Sequence, residues 1–88
     1  MTTTALEKLL VDHASAKRDG ARLKLGDVKA TFFVRIGSQS MTVDRVVSVE
    51  LEGDLTTLIS ARGDITAVAT TDVAAVKFEV PKKAAGLL

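Results

Sequence analysis

Eighty-eight residues supply one hydrophobic core and not two, and a domain of this size buries only about 60–65% of the surface its unfolded chain exposes. With no cysteine, no tryptophan and no tyrosine, the composition excludes disulfides, thiolate metal sites and cysteine nucleophiles, and it lacks the aromatic platforms on which single-stranded nucleic acids stack. The net charge of +1 marks no strongly basic or acidic ligand.

The amino terminus, Met1-Thr2-Thr3-Thr4, has neither a basic stretch nor an apolar run, so no signal peptide is expected. No apolar segment approaches the roughly 18–20 residues of a membrane helix, and a cytoplasmic protein without membrane association is expected. Thr4 followed by Glu7 reads as a capping box opening a helix. Leu6, Leu9, Leu10, His13, Ala14 and Lys17 recur at helical spacing. Lys17 and Arg18 suit the negative end of a helix dipole, and Gly20 suits the left-handed residue just beyond it. The helix is predicted over residues 4–19.

Beyond Gly20 the period falls to two. Arg22–Leu25 alternates briefly, and Gly26-Asp27 signals a turn. Val28–Ile36 is the clearest strand, and Gly37–Ser40 is a turn. The next strand runs from Met41 to Leu51, with Met41, Val43, Val47, Val49 and Leu51 in phase. Arg45 interrupts that phase, which predicts a bulge or strong bend near Asp44-Arg45. Glu52-Gly53-Asp54 and Arg62-Gly63-Asp64 are turns around the β-prone run Leu55–Ala61, and Ile65–Thr70 and Val73–Val80 complete the pattern. Pro81 ends the last strand. The expected fold is α+β: an N-terminal helix, then an antiparallel meander of four or five strands, either open or closed into a small barrel. One domain spans residues 1–81, and residues 82–88 form a tail expected to be flexible or to dock through Leu87-Leu88.

Several strands are apolar on both faces, which calls for a second cover beyond one short helix. Val46, Leu58, Val76 and Phe78 fall out of phase with the helix-facing set, and they are the candidate interface.

This order of elements resembles the Sm-like small β-barrel proteins. The likeness spans Lys29 to Val80. Phe32-Phe33-Val34-Arg35-Ile36-Gly37 stands for the family's first strand and its glycine, and Asp72-Val73-Ala74-Ala75-Val76 for its short closing strand. Thr42-Val43-Asp44-Arg45 lacks the second glycine of the signature. Thr70-Thr71-Asp72 stands where the family keeps residues that hold uridine, so the RNA contacts do not carry over. What the resemblance implies is oligomerisation by strand addition.

Chemistry-bearing residues are sparse. His13 is the lone histidine and lacks the companions a metal or a general base requires, so neither catalysis nor a bound metal or cofactor is expected. No serine stands in a nucleophile elbow, and the glycines are scattered singly rather than gathered in a phosphate loop. Arg62-Gly63-Asp64 matches an adhesion tripeptide but reads as a hairpin turn. Lys17, Arg18, Arg22, Lys24 and Lys29 form a candidate basic patch for phosphates. Residues 13–43 hold six Lys and Arg against two Asp, whereas residues 44–80 hold seven acids against three cations. Such a split marks a docking surface or complementary faces, or acids gathered at turns. The expected function is a non-enzymatic protein-binding or assembly module that joins its own copies and a partner protein. The alternative is an Sm-like RNA- or DNA-binding barrel.

Overall fold

The computed structural model describes residues 1–79; Val80, Pro81 and the tail expected over residues 82–88 lie outside the described residues. Helix α1 (Thr3–Ala14) precedes seven antiparallel strands: β1 (Lys17–Asp19), β2 (Arg22–Lys24), β3 (Lys29–Ile36), β4 (Gln39–Glu52), β5 (Leu55–Ser60), β6 (Ile65–Ala69) and β7 (Val73–Glu79). A single 3-10 turn, Thr70–Asp72, separates β6 from β7. The chain is α+β with a strand meander, and among the described residues the sheet does not close into a barrel.

The helix is shorter than its apolar period suggested, and its caps lie elsewhere. Thr2, not Thr4, is the N-cap, and its hydroxyl accepts from the Ala5 amide at 3.1 Å. Glu7 is thereby free of a capping role and reaches Arg18 instead, at 2.7 Å. Ser15 takes the left-handed conformation at the C-terminal end (φ 52°, ψ 40°). The Ala16 amide donates to the Leu10 carbonyl at 3.2 Å, and the Gly26 amide to the Ala14 carbonyl at 2.9 Å. These bonds satisfy carbonyls that a helix end leaves unpaired. Gly20 is not the helix stop. It has φ 65° and opens the two-residue loop of a β1–β2 hairpin, in which Asp19 faces Arg22. The meander thus gains two strands over the expected four or five, because Lys17 and Arg18 leave the helix for that hairpin.

Two further hairpins have the same build, with Gly37 and Gly53 at positive φ between Ile36 and Gln39 and between Glu52 and Leu55. A glycine at the first position of a two-residue loop gives the twist that antiparallel strands need.

Strand β4 organises the sheet. Its first half pairs with β3, and its second half lies between β2 and β5. Between these halves the register slips, so that Ala30 faces Val46 while Phe32 faces Val43. Asp44 and Arg45 together oppose Thr31, and Arg45 has φ 54°. The bulge expected at this dipeptide is therefore present. The pairing with β5 slips as well, between Val46 and Ser48. Together the two slips turn Val46, Val49 and Leu51 inward, where unbroken alternation had aligned Val47, Val49 and Leu51. The core joins Leu6, Leu10 and Ala14 of the helix to Phe32, Val34, Val46, Val49, Leu58 and Val73 of the sheet. Two buried threonines add a polar tie: the hydroxyls of Thr56 and Thr70 lie 2.7 Å apart and join β5 to the 3-10 turn.

Leu6 and Leu10 are fully buried, whereas Leu9 is half-buried. Leu10→Ala is expected to lower unfolding stability by about 2–5 kcal/mol and Leu9→Ala by distinctly less, as measured by urea denaturation. Equal losses would contradict this packing. At Arg45 the left-handed backbone disfavours branched side chains by about 1–2 kcal/mol. Arg45→Val is expected to destabilise the domain and Arg45→Gly to leave it unharmed in the same assay.

Candidate interface

Expected interface residues fare differently from one another. Val46 and Leu58 are fully buried within the protomer, beneath the helix-facing side rather than opposite it. Val76 and Phe78 are half-buried and pack against the same core. They sit beside Phe32 and Ala30, which face inward. The Phe78 ring lies under the exposed His13 ring, with centroids 5.4 Å apart. This contact places His13 at the helix–sheet boundary, as its phase suggested. All four side chains therefore belong to the inner face, and none forms an outer apolar patch. The slips in β4 reverse the alternation for Val46, and the slip opposite Phe33 and Val34 does so for Val76 and Phe78, whereas Leu58 lies in the unbroken alternation of β5, whose inner face is Thr56, Leu58 and Ser60.

Four of the five basic residues lie on the β1–β2 hairpin, and Lys29 lies on β3. Lys17 and Lys24 face each other across β1 and β2. Arg18 is paired with Glu7, and both Nε and Nη2 of Arg22 donate to Oε1 of Glu50, at 3.1 and 2.9 Å. Lys29 lies opposite Glu79 on β7. Strands from the basic part of the sequence thus run beside strands from the acidic part, so the charge split does not become two faces. Arg62-Gly63-Asp64 is the β5–β6 turn, held by an Arg62–Asp64 pair at 3.3 Å and by the Asp64 amide donating to the Ser60 hydroxyl at 3.1 Å.

What the sheet does expose lies on its other side. Its large exposed apolar residues are Phe33, Ile36, Leu55 and Ile65, and Ile65 is 70% exposed. Leu55, Thr57 and Ile59 alternate with the buried Thr56, Leu58 and Ser60 along β5. They face Ala69, Ala67 and Ile65 of β6. The outer surface of this hairpin is therefore apolar or small, and neither strand carries a charge.

Strand β6 is also an edge: among the described residues it pairs with β5 alone. The Ser60 amide donates to the Asp64 carbonyl at one end, and the Thr70 amide to the Asp54 carbonyl at the other. Antiparallel pairs alternate between bonded and unbonded. Thr66 and Val68 therefore bond to β5, while the N–H and C=O groups of Ile65 and Ala67 and the N–H of Ala69 point outward; the Ala69 carbonyl, at the N-cap of the 3-10 turn, accepts the first bond of that turn. The side chains of these three residues are exposed as well. The other edges differ. Strand β1 is three charged residues long, β7 carries Lys77 and Glu79, and the open side of β4 ends on Asp44 and Arg45. Charges and bulges of this kind are how natural edges resist pairing.

Sequence reasoning missed this edge, although its signal was present: Ile65–Thr71 is seven residues without a charge, proline or glycine. Among the described residues, no group of three or more His, Asp or Glu is placed to hold a metal ion, and no helix is long and apolar enough to cross a membrane. No protein-family model, curated protein or solved structure matches this chain.

Val46→Asp places an unpaired carboxylate at a fully buried position, which is among the costliest of substitutions. It is expected to abolish cooperative thermal unfolding altogether, as followed by far-UV circular dichroism. A variant that keeps its fold and loses only an assembly would restore Val46 to an interface.

Proposed function

We propose that the chain is a non-enzymatic assembly module that self-associates and acts by occupying protein partners, as an adaptor, a subunit or an inhibitor. One observation carries this reading: among the described residues β6 is an uncharged edge strand with no second partner, flanked by an apolar outer face that includes Leu55 and Ile65. Unpaired backbone groups on such an edge are a template for another strand. A contiguous apolar surface beside them rewards its coverage. Light scattering coupled to size exclusion is expected to give a mass of at least two chains, falling towards one on dilution. A single-chain mass at every concentration would overturn the proposal.

The second reading is an Sm-like RNA- or DNA-binding barrel. It draws support from the strand path β7-β3-β4-β5-β6 and the one-turn helix before the last strand. Against it stand the carboxylate partners of Arg18 and Arg22 and an unclosed sheet. Phosphate binding falls steeply with salt, with a slope of about −0.7 per contact for single strands. Mixed RNA or DNA pools are expected to bind weakly at physiological salt. Submicromolar affinity that is lost in the Arg22→Glu, Lys24→Glu double variant would favour this second reading instead.

A further inference from the structure

We propose that β6 pairs with β6 of a second copy, antiparallel and about a two-fold axis through Ala67, so that the two sheets become one. This inference rests on the self-association proposed above and names its edge, its partner and its register.

The pattern of outward groups makes this edge self-complementary. Ile65, Ala67 and Ala69 are the β6 residues whose N–H groups face away from β5, as do the C=O groups of Ile65 and Ala67. With Ala67 opposite its own copy, Ile65 lies opposite Ala69 of the second chain, and Ala69 opposite Ile65. Ala67 then exchanges an N–H donor and a C=O acceptor with its copy, and the Ala69 N–H of each chain donates to the Ile65 carbonyl of the other, the Ala69 carbonyl being held by the 3-10 turn. Shifting the register by two residues leaves one outward residue of each strand without a counterpart.

The side chains agree with that register. The largest exposed residue of the edge, Ile65, meets the small Ala69, and the position on the axis brings two alanines together. No charge lies on β6 or β5, so a two-fold operation brings no like charges face to face, a juxtaposition that is destabilising in a ladder. The same operation on β7 would juxtapose edges carrying Lys77 and Glu79. On β1 it would do so with a wholly charged strand of three residues. Pairing through β6 also extends the Leu55, Ile59 and Ile65 surface across the axis into a single apolar strip, and it closes the exposed side of the nearly buried Val68.

The chain has no cysteine, so a single introduced thiol reads the geometry directly. Bonded antiparallel pairs hold their Cα atoms about 5.5 Å apart, within the roughly 4.4–6.8 Å span of disulfides. Ala67→Cys, oxidised with glutathione disulfide, is expected to convert to a covalent dimer. Ile65→Cys, offset from its own copy by four residues or about 13 Å along the strand, is expected to remain monomeric in a denaturing gel. Ala75→Cys, exposed on β7, serves as a second control. Ala67→Lys places two ammonium groups on the axis at an exposed position and is expected to give single chains by light scattering with an unchanged circular dichroism spectrum. An assembly that survives Ala67→Lys, or one that Ala67→Cys does not cross-link, would overturn this pairing and leave self-association standing. Wild-type protein of single-chain mass, together with no cross-link in the Ala67→Cys variant, would overturn both and would assign the edge to a strand of another protein.

Discussion

A strand of fourteen residues cannot lie flat in so small a domain. Strand β4 is hydrogen-bonded to β3, β2 and β5 in turn, and the bend at Arg45 allows it to serve all three. Arg45 adopts a left-handed backbone that asparagine or glycine occupies more readily. The strain is held by packing on either side of it, at Val43 and Val46, and by the Ala61 amide, which donates to the Arg45 carbonyl at 2.8 Å. Were β4 straight, its second half would carry β5 and β6 away from helix α1. Leu58 and Val68 would then lose the core to which they contribute.

That bend also decides which parts of the sheet remain open. Strands β5 and β6 follow β4 around the core, leaving β6 at the end of the path with no neighbour beyond it among the described residues. Strand β7 returns to the far side of β3 rather than to β6, so no strand among the described residues closes the gap. The 3-10 turn at Thr70–Asp72 carries the chain between these two ends, tied down by the Thr56–Thr70 hydroxyl contact and the bond from the Thr70 amide to Asp54. An aliphatic core is thus completed within one chain, while a hydrogen-bonding edge is left unsatisfied.

The strong local signals in the sequence reappear in the structure. Gly37, Gly53 and the Arg62-Gly63-Asp64 turn sit where their chemistry placed them, and the Arg45 bulge was visible as a break in alternation. The helix was overextended because Lys17 keeps the apolar period of α1, although Ser15 ends it through a backbone conformation that no side-chain pattern announces. Burial in β4 and β7 was misassigned for a related reason. Each register slip exchanges the two faces of a strand, so Val46, Val76 and Phe78 moved from a supposed outer face to the inner one. The charge split was plain in the sequence, but only pairing between β2 and β4 reveals that Arg22 meets Glu50. The uncharged run at Ile65–Thr71 was equally readable; its importance depended on β6 being an edge, which is a property of topology.

The most direct test of the account is residue-resolved amide hydrogen exchange on β6 at low and high protein concentration. Within one chain the amides of Thr66 and Val68 bond to β5, whereas those of Ile65, Ala67 and Ala69 face outward. The second group is expected to become protected as concentration rises, while the first stays slow throughout. Rapid exchange of Ile65, Ala67 and Ala69 at every concentration, in a protein whose other strands are protected, would contradict the account.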